Sequence, residues 1–317
     1  MEIKFIAFES MGIRSQALFV QLKNVNIFID PSAALAPRRF GLPPHVYEVE
    51  KLLDVFNDIE SYLKDSDVVI HTHYHYDHHD PGRFIDIDLY KSKIVYLKDP
   101  QNFINTSQRI RASKFIKILK DRVKEIKIAE GRKETFPYTK VSFSFPLPHG
   151  ESDRLGYVVA ICIEEKDDAL LFTSDIEGGP LENHRDILGF CKPRIAVVDG
   201  PPTYLLGYRY GEESLRSSIY FLIQLLELES LETLILDHHL CRDLSYSEKI
   251  SEVITRAKSL NKEVKTAAEV SRSQPLLLEA MRKELYRERP ENGLNKLKSR
   301  YKGSELKELD QLFGEDR

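Results

Sequence analysis

From Val68 to Ile70 the chain is a β-branched apolar run, and by Asp80 it has become a burst of imidazoles and carboxylates. Within that stretch lies H-x-H-x-D-H, formed by His73, His75, Asp77 and His78. Imidazole nitrogen and carboxylate oxygen are the donors that zinc and its borderline-soft neighbours prefer. His73 and His75 lie two apart in extended chain and can face the same side, whereas Asp77 and His78 fall past the bend and can serve a second ion. A histidine-rich surface loop would also read this way locally. Two features favour a metal site: the run follows a strand directly, and matching donors recur downstream.

Those downstream donors also sit where apolar runs stop. His149 follows the strand predicted over Val141 to Phe145, and Asp175 closes the run ending Leu171-Phe172-Thr173-Ser174. His238 and His239 close a strand over Thr233 to Leu236. If these strand ends gather along one edge, His73, His75, Asp77, His78, His149, Asp175 and His238 converge. That is about the number of protein ligands two divalent ions need when one carboxylate bridges and water completes each shell. His45 and His184, outside the clusters, are expected at the surface.

The elements that must position these residues follow from patterning. A first strand is predicted over Ile3 to Phe8. Ala17 to Leu22 and Val25 to Ile29 make a hairpin around Lys23-Asn24, ending at Asp30-Pro31. Val49, Leu52, Phe56, Ile59 and Leu63 recur at helical spacing. A second helix is predicted from about Thr106 to Lys124, with one face basic from Arg109 onward, which reads first as a solvated face. Strands are predicted over Ile94 to Leu97, Tyr157 to Ile163, Ala169 to Thr173 and Arg194 to Val198, with a short one near Val264. A helix is marked by Leu215, Ile219, Leu222, Ile223 and Leu226. No G-x-G-x-x-G follows the first strand, which argues against a doubly wound dinucleotide-binding sheet. The expectation is an α/β (α+β) fold of two packed sheets with helices outside. Residues 1–262 would form the main domain and residues 263–317 a helical extension packed on it.

Composition narrows the class. The chain has 317 residues, 42% hydrophobic and 30% charged, with a net charge of −4. This excludes disorder and gives no global nucleic-acid signature. Neither a signal sequence nor a membrane-spanning run is evident, so a cytoplasmic protein with no membrane partner is expected. Cys162, Cys191 and Cys241 are odd in number and lack C-x-x-C spacing, and are expected to be reduced.

Taken together, H-x-H-x-D-H after a strand, a later single histidine, the aspartate closing Ser174-Asp175 and the histidine after Asp237 resemble the metallo-β-lactamase superfamily. Asp199-Gly200-Pro201-Pro202 and Asp237-His238-His239 resemble a largely archaeal branch of predicted metal-dependent hydrolases within it. The resemblance spans residues 3 to about 240 and implies a four-layer αββα sandwich with the site at one edge. It also implies a dinuclear hydrolase using a metal-bridged hydroxide. His73, His75 and His149 would hold one ion, and Asp77, His78 and His238 the other, with Asp175 bridging. His238 is preferred to His239 because it stands at the family's offset from the strand. Asp30 would orient the site as an outer carboxylate.

The implied cofactors are two divalent ions, zinc first, with manganese or iron(II) as alternatives. His239, His71 and His79 are candidates for protonating the leaving group, and each also reads as a flanking packing residue. The expected substrate is a small-molecule ester, lactone or phosphodiester, with Tyr204, Tyr208 and Tyr210 as candidate pocket walls. A ribonuclease-Z-like nuclease is the less favoured alternative, and a non-catalytic metal-binding protein less favoured still. A homodimer supported by the C-terminal helices stays open. Where many superfamily members continue after the Asp-His pair with an aliphatic residue and glycine, this chain has His79-Asp80-Pro81. That departure is the first place to look for substrate preference.

Overall fold

The computed structural model describes residues 1–298. Its first sheet runs in the order β1 (Glu2–Phe8), β2 (Gln16–Gln21), β3 (Asn26–Ile29), β4 (Val68–His71), β5 (Ile94–Leu97), β6 (Glu125–Ile128). The first three strands form an antiparallel meander; β3 to β6 are parallel. Helix α1 (Val46–Asp65) makes the crossover from β3 to β4, and α2 (Thr106–Leu119) the crossover from β5 to β6.

The second sheet mirrors this plan. Strands β7 (Lys133–Phe136), β8 (Thr139–Phe143), β11 (Ile161–Glu165) and β12 (Asp168–Phe172) are antiparallel. Parallel β13 (Ile195–Asp199), β14 (Thr233–Asp237) and β15 (Glu263–Lys265) extend them, and β9 (Leu147–Pro148) pairs with β10 (Tyr157–Val158) separately. The remaining helices are α3 (Ile187–Phe190), α4 (Glu212–Leu226), α5 (Tyr246–Lys249), α6 (Ser251–Ser259), α7 (Ala267–Val270), α8 (Arg282–Glu288) and α9 (Leu294–Lys298).

Three apolar cores define four layers. Between the sheets, Leu18, Ile27, Ile29 and Ile70 pack against Ile161, Phe172, Val197 and Ile235. Outside the first sheet, Val49, Leu52 and Ile59 of α1 and Ala112 and Phe115 of α2 cover Phe28, Val69 and Val95. Outside the second, Phe221 and Leu222 of α4 and Val253 of α6 cover Leu171, Ala196 and Leu234. The central parallel strands β3, β4, β5, β13 and β14 are apolar on both faces because both faces are covered. This is the αββα sandwich, the metallo-β-lactamase fold.

Several expectations need correction. The second helix stops at Leu119 rather than near Lys124, and β6 begins at Glu125; β6 and β7 were not foreseen. His45 and His184 are buried, not superficial. His45 caps α1 through Nδ1, which accepts from Tyr47 N, while its Nε2 lies 2.7 Å from the Arg289 carbonyl. Cys162 and Cys191 are joined in a disulfide rather than reduced, because the chain after α3 returns beside β11 and brings the two Cα atoms to 5.8 Å. Cys241 is a free, buried thiol. The tail expected beyond Gly303 lies outside the described residues. No helix among the described residues is long and apolar enough to cross a membrane.

Candidate metal centre

The C-terminal ends of β3, β4, β12, β13 and β14 meet at one edge of the sandwich. Three of those strands break sharply on a non-glycine residue in the left-handed region: Asp30 (φ 47°), Ser174 (φ 56°) and His238 (φ 57°). Such backbone is unfavourable for L-residues and persists only where the surroundings hold it. Here it turns the donors of three separate strands toward one point.

Asp175 is at the centre. Its Oδ2 lies 3.6 Å from His73 Nε2, 3.2 Å from His149 Nε2 and 3.5 Å from His238 Nε2, and its Oδ1 is 3.1 Å from His78 Nε2. Gln16 Nε2 donates to that Oδ1 at 2.6 Å. His73 Nε2 and His75 Nδ1 approach to 3.1 Å. Donor atoms of His73, His75, His149 and Asp175 all lie within 4.8 Å of one another, as do those of Asp77, His78 and His238. Asp77 Oδ2 is 3.5 Å from His238 Nε2.

Two observations fit these donors to a divalent ion. Ligands about 2.0–2.1 Å from a tetrahedral zinc stand roughly 3.3 Å apart, and the separations around Asp175 bracket that value. In addition, His78 Nε2 and both His149 nitrogens are buried with no hydrogen-bond partner, a costly arrangement unless something else coordinates them. The His/Asp cluster is therefore compatible with divalent metal binding.

The surrounding side chains set orientation and charge. Asp30 is fully buried and accepts from Thr72 N (2.8 Å) and Thr72 Oγ1 (2.6 Å), and its Oδ2 is 2.8 Å from His78 Nδ1. A carboxylate can only accept, so Nδ1 carries hydrogen and Nε2 faces the cluster. Burial lowers the pKa of His73 and His75 well below the usual imidazole value, with neighbouring imidazoles adding to the effect. At His78 burial works the same way, but Asp175, Asp30 and Asp77 outweigh it and its pKa rises. Burial opposes ionisation of Asp175, yet His78, His238 and His73 hold its pKa far below the carboxylate range.

Donor atoms of Asp175, His238 and His239 also lie within 4.8 Å of one another, and His239 lines the cleft. Its Nδ1 is 3.0 Å from both Asp199 oxygens, leaving Nε2 as the nitrogen offered to the cleft. Burial pushes Asp199 up to about 7. His71 and His79 do not reach the cleft. His71 is fixed by the His78 carbonyl and the Tyr90 hydroxyl, and His79 by the His75 carbonyl, so both brace the loop from beneath. Tyr204, Tyr208 and Tyr210 are also absent from its walls.

Other contributors were not anticipated. Glu177 is buried, lies 3.7 Å from His149 Nδ1, and is pushed up to about 7 by burial. Gly150 has a φ of +76°, and a Cβ there would run into the Glu177 carboxylate, so the position favours glycine. His184 Nε2 is 2.9 Å from the Pro148 carbonyl, just before His149. Arg242 donates from Nε to Glu9 (2.9 Å) and from Nη2 to His238 Nε2 (3.0 Å), 3.6 Å from Asp77. Asp199 could have been found by the pattern that exposed Asp30 and Asp175, a carboxylate closing a buried strand. Glu177 and Arg242 carried no comparable signal.

The cleft over the cluster has a volume of about 360 Å³ and is walled by His75, Asp77, His149, Asp175 and His239 on one side. Arginines and apolar residues, among them Leu52 of α1 and Arg111 of α2, also line it. Fold and site together define a metallo-β-lactamase-fold protein whose cleft opens onto a His/Asp cluster suited to a divalent ion. No family model matches the chain. It is 47% identical over 289 residues to a UPF0282 protein of Saccharolobus solfataricus, covering 91% of this chain and 94% of that one. To a UPF0282 protein of Sulfolobus acidocaldarius it is 45% identical over 287 residues, covering 90% and 93%. The chain belongs to the UPF0282 family. It is also similar to the solved structure of isothiocyanate hydrolase from Delia radicum gut bacteria (17% identity, 80% of this chain and 94% of that one, TM-score 0.49). A second likeness is to the metallo-β-lactamase fold protein YhfI from Bacillus subtilis (13% identity, 86% and 96%, TM-score 0.49).

Proposed function

We propose that the chain is a metal-dependent hydrolase of small-molecule esters, lactones or phosphodiesters, working with two divalent ions. His73, His75 and His149 would hold one, Asp77, His78 and His238 the other, with Asp175 shared. The observation that carries this reading is Asp175, set 3.1–3.6 Å from four imidazole nitrogens contributed by three separate segments. Zinc is the first expectation and manganese or iron(II) the alternatives, since N/O donors serve all three.

When bound, such ions lower the pKa of water and polarise the oxygen of the bond to be cleaved. The chain supplies the rest. Asp30 fixes the His78 ring through Nδ1, and Gln16 fixes Asp175. His239, held through Nδ1 by Asp199, would present Nε2 to the cleft as a base; because burial keeps its pKa well below the usual imidazole value, Nε2 would first take up the proton released by the attacking water and then pass it to the leaving group. His78 holds a proton in the metal-free protein that an ion must displace, so ion affinity should rise with pH. The small cleft supports a small-molecule substrate over a nucleic acid, and the α2 lysines Lys114, Lys117 and Lys120 point to solvent.

The test is metal content and turnover on one preparation. Reconstituted protein should hold two ions per chain by elemental analysis. A panel of aryl ester, lactone, thioester and phosphodiester substrates, run with zinc, manganese and iron(II), should show turnover with at least one pair. Asp77→Ala should lose one ion and most turnover while keeping the circular dichroism of the fold. Protein that binds no ion after reconstitution sinks the reading.

A further inference from the structure

The two donor sets of the cluster are not alike. In the first set, neither ring nitrogen of His149 has a hydrogen-bond partner. In the second, the matching nitrogen of His238 is already taken. Arg242, at the end of the single turn His238–Arg242 that follows β14, donates from Nη2 to His238 Nε2 at 3.0 Å. The same Nη2 stands 3.6 Å from Asp77 Oδ2. A guanidinium can only donate, so His238 Nε2 is the hydrogen-free nitrogen of that ring. It lies 3.5 Å from Asp77 Oδ2 and 3.5 Å from Asp175 Oδ2, and it is the nitrogen that an ion shared with Asp77 and His78 would need.

Arg242 is also fixed where it stands. It is almost fully buried, its Nε donates to buried Glu9 at 2.9 Å, and its backbone carbonyl accepts from Arg39 Nη2 at 3.0 Å. An arginine keeps its charge at any pH a folded protein meets. A permanent positive charge therefore stands within the second donor set, where burial leaves little water or salt to screen it.

We propose that Arg242 is a resident cation of the second position, competing with a divalent ion for His238 and Asp77. The two positions then fill in order. The ion at His73, His75 and His149 binds first and tightly, and the ion at Asp77, His78 and His238 binds second and more weakly. The proposal rests on the two-ion reading and adds a form of regulation to it, since the chain passes between one-ion and two-ion forms as the supply of divalent ion changes.

The probe is zinc alone, titrated into chelator-treated full-length protein against a chromogenic chelator. Wild type should take up zinc in two resolved steps. Arg242→Gln, which removes the charge, should strengthen the second step by about tenfold or more, the factor carried by one charge-assisted hydrogen bond, and leave the first unchanged. Arg242→Lys, which keeps the charge but cannot bridge Glu9 and His238, should fall between. Asp77→Ala should lose the weak step and keep the tight one, which assigns each step to its position. A second step invisible in wild type that appears in Arg242→Gln supports the proposal equally. Circular dichroism checks that each variant is folded. Folded Arg242→Gln with the wild-type second step overturns the proposal. If that variant does not fold, two equal steps in wild type, or loss of the tight step in Asp77→Ala, overturns it as well. Two equal steps would leave the two-ion reading standing, whereas wild type that binds no zinc defeats that reading and this proposal with it, so the two failures are distinguishable.

Discussion

Asp30 never reaches the cleft, yet its replacement should be felt at the metal centre. In Asp30→Ala the buried N–H of Thr72 and Nδ1–H of His78 lose their only acceptor, while the Thr72 hydroxyl keeps Ser174 Oγ at 2.6 Å. Each orphaned donor costs about 1–3 kcal/mol, so the metal-free protein should lose about 2–6 kcal/mol in urea melts. The Asp30→Asn variant separates charge from shape. Asparagine tolerates the positive φ of this position, and its oxygen can still accept from Thr72. Its amide then faces His78 Nδ1, donor against donor, which drives the imidazole to the tautomer with hydrogen on Nε2. That nitrogen is the one turned toward Asp175 and Asp77. Both variants should bind zinc about 10–100-fold more weakly than wild type, read by competition with a chromogenic chelator. Asp30→Asn should show this loss with a smaller stability change than Asp30→Ala. Asp30→Asn with wild-type zinc affinity would refute the argument that this carboxylate sets the His78 tautomer.

Further expectations follow from the same surroundings. Glu177 is raised to about 7 by burial, so its protonated form contributes stability that is full below about 4.5 and is lost as pH rises through 7. Metal-free Glu177→Gln should therefore match wild type near pH 4.5 and be more stable by about 3 kcal/mol at pH 8; an equal difference at both pH values contradicts this. The Cys162–Cys191 bond spans 29 positions, so opening it by Cys162→Ala should cost about 3–4 kcal/mol. Without reductant, thiol titration of denatured wild type should find Cys241 alone, and a count of three would show that the pair is reduced.

Two kinds of feature were legible in the sequence, for physical reasons. The buried strands announce themselves because β3, β4, β13 and β14 are covered on both faces and must be continuous apolar runs. The residues of the His/Asp cluster announce themselves because few residue types can bind an ion and these stand where such strands stop. Strands β6 and β7 gave no such signal. Neither has a buried residue, so pairing is dictated by their neighbours and not by their own pattern.

What the sequence could not show are contacts between distant segments, whose partners carry no spacing rule. Arg14 meets Glu279, Arg242 meets Glu9, and Arg282 meets Glu48, each across more than 230 positions. The disulfide was hidden for the same reason, since spacing along the chain does not reveal distance across a helix layer. His79-Asp80-Pro81 falls between these cases. As a string it shows only that an aliphatic residue and glycine are missing. In the fold, Asp80 holds a turn that includes Gly82 through four hydrogen bonds to one carboxylate oxygen, and the loop it fixes carries Arg83. A flexible turn could not hold the Arg83 guanidinium 4.1 Å from the centre of the Tyr76 ring against the entropy of a long side chain. The departure thus acts on the lining of the cleft, to which Asp80 and Arg83 contribute, and leaves the spacing of His73, His75, Asp77 and His78 unchanged.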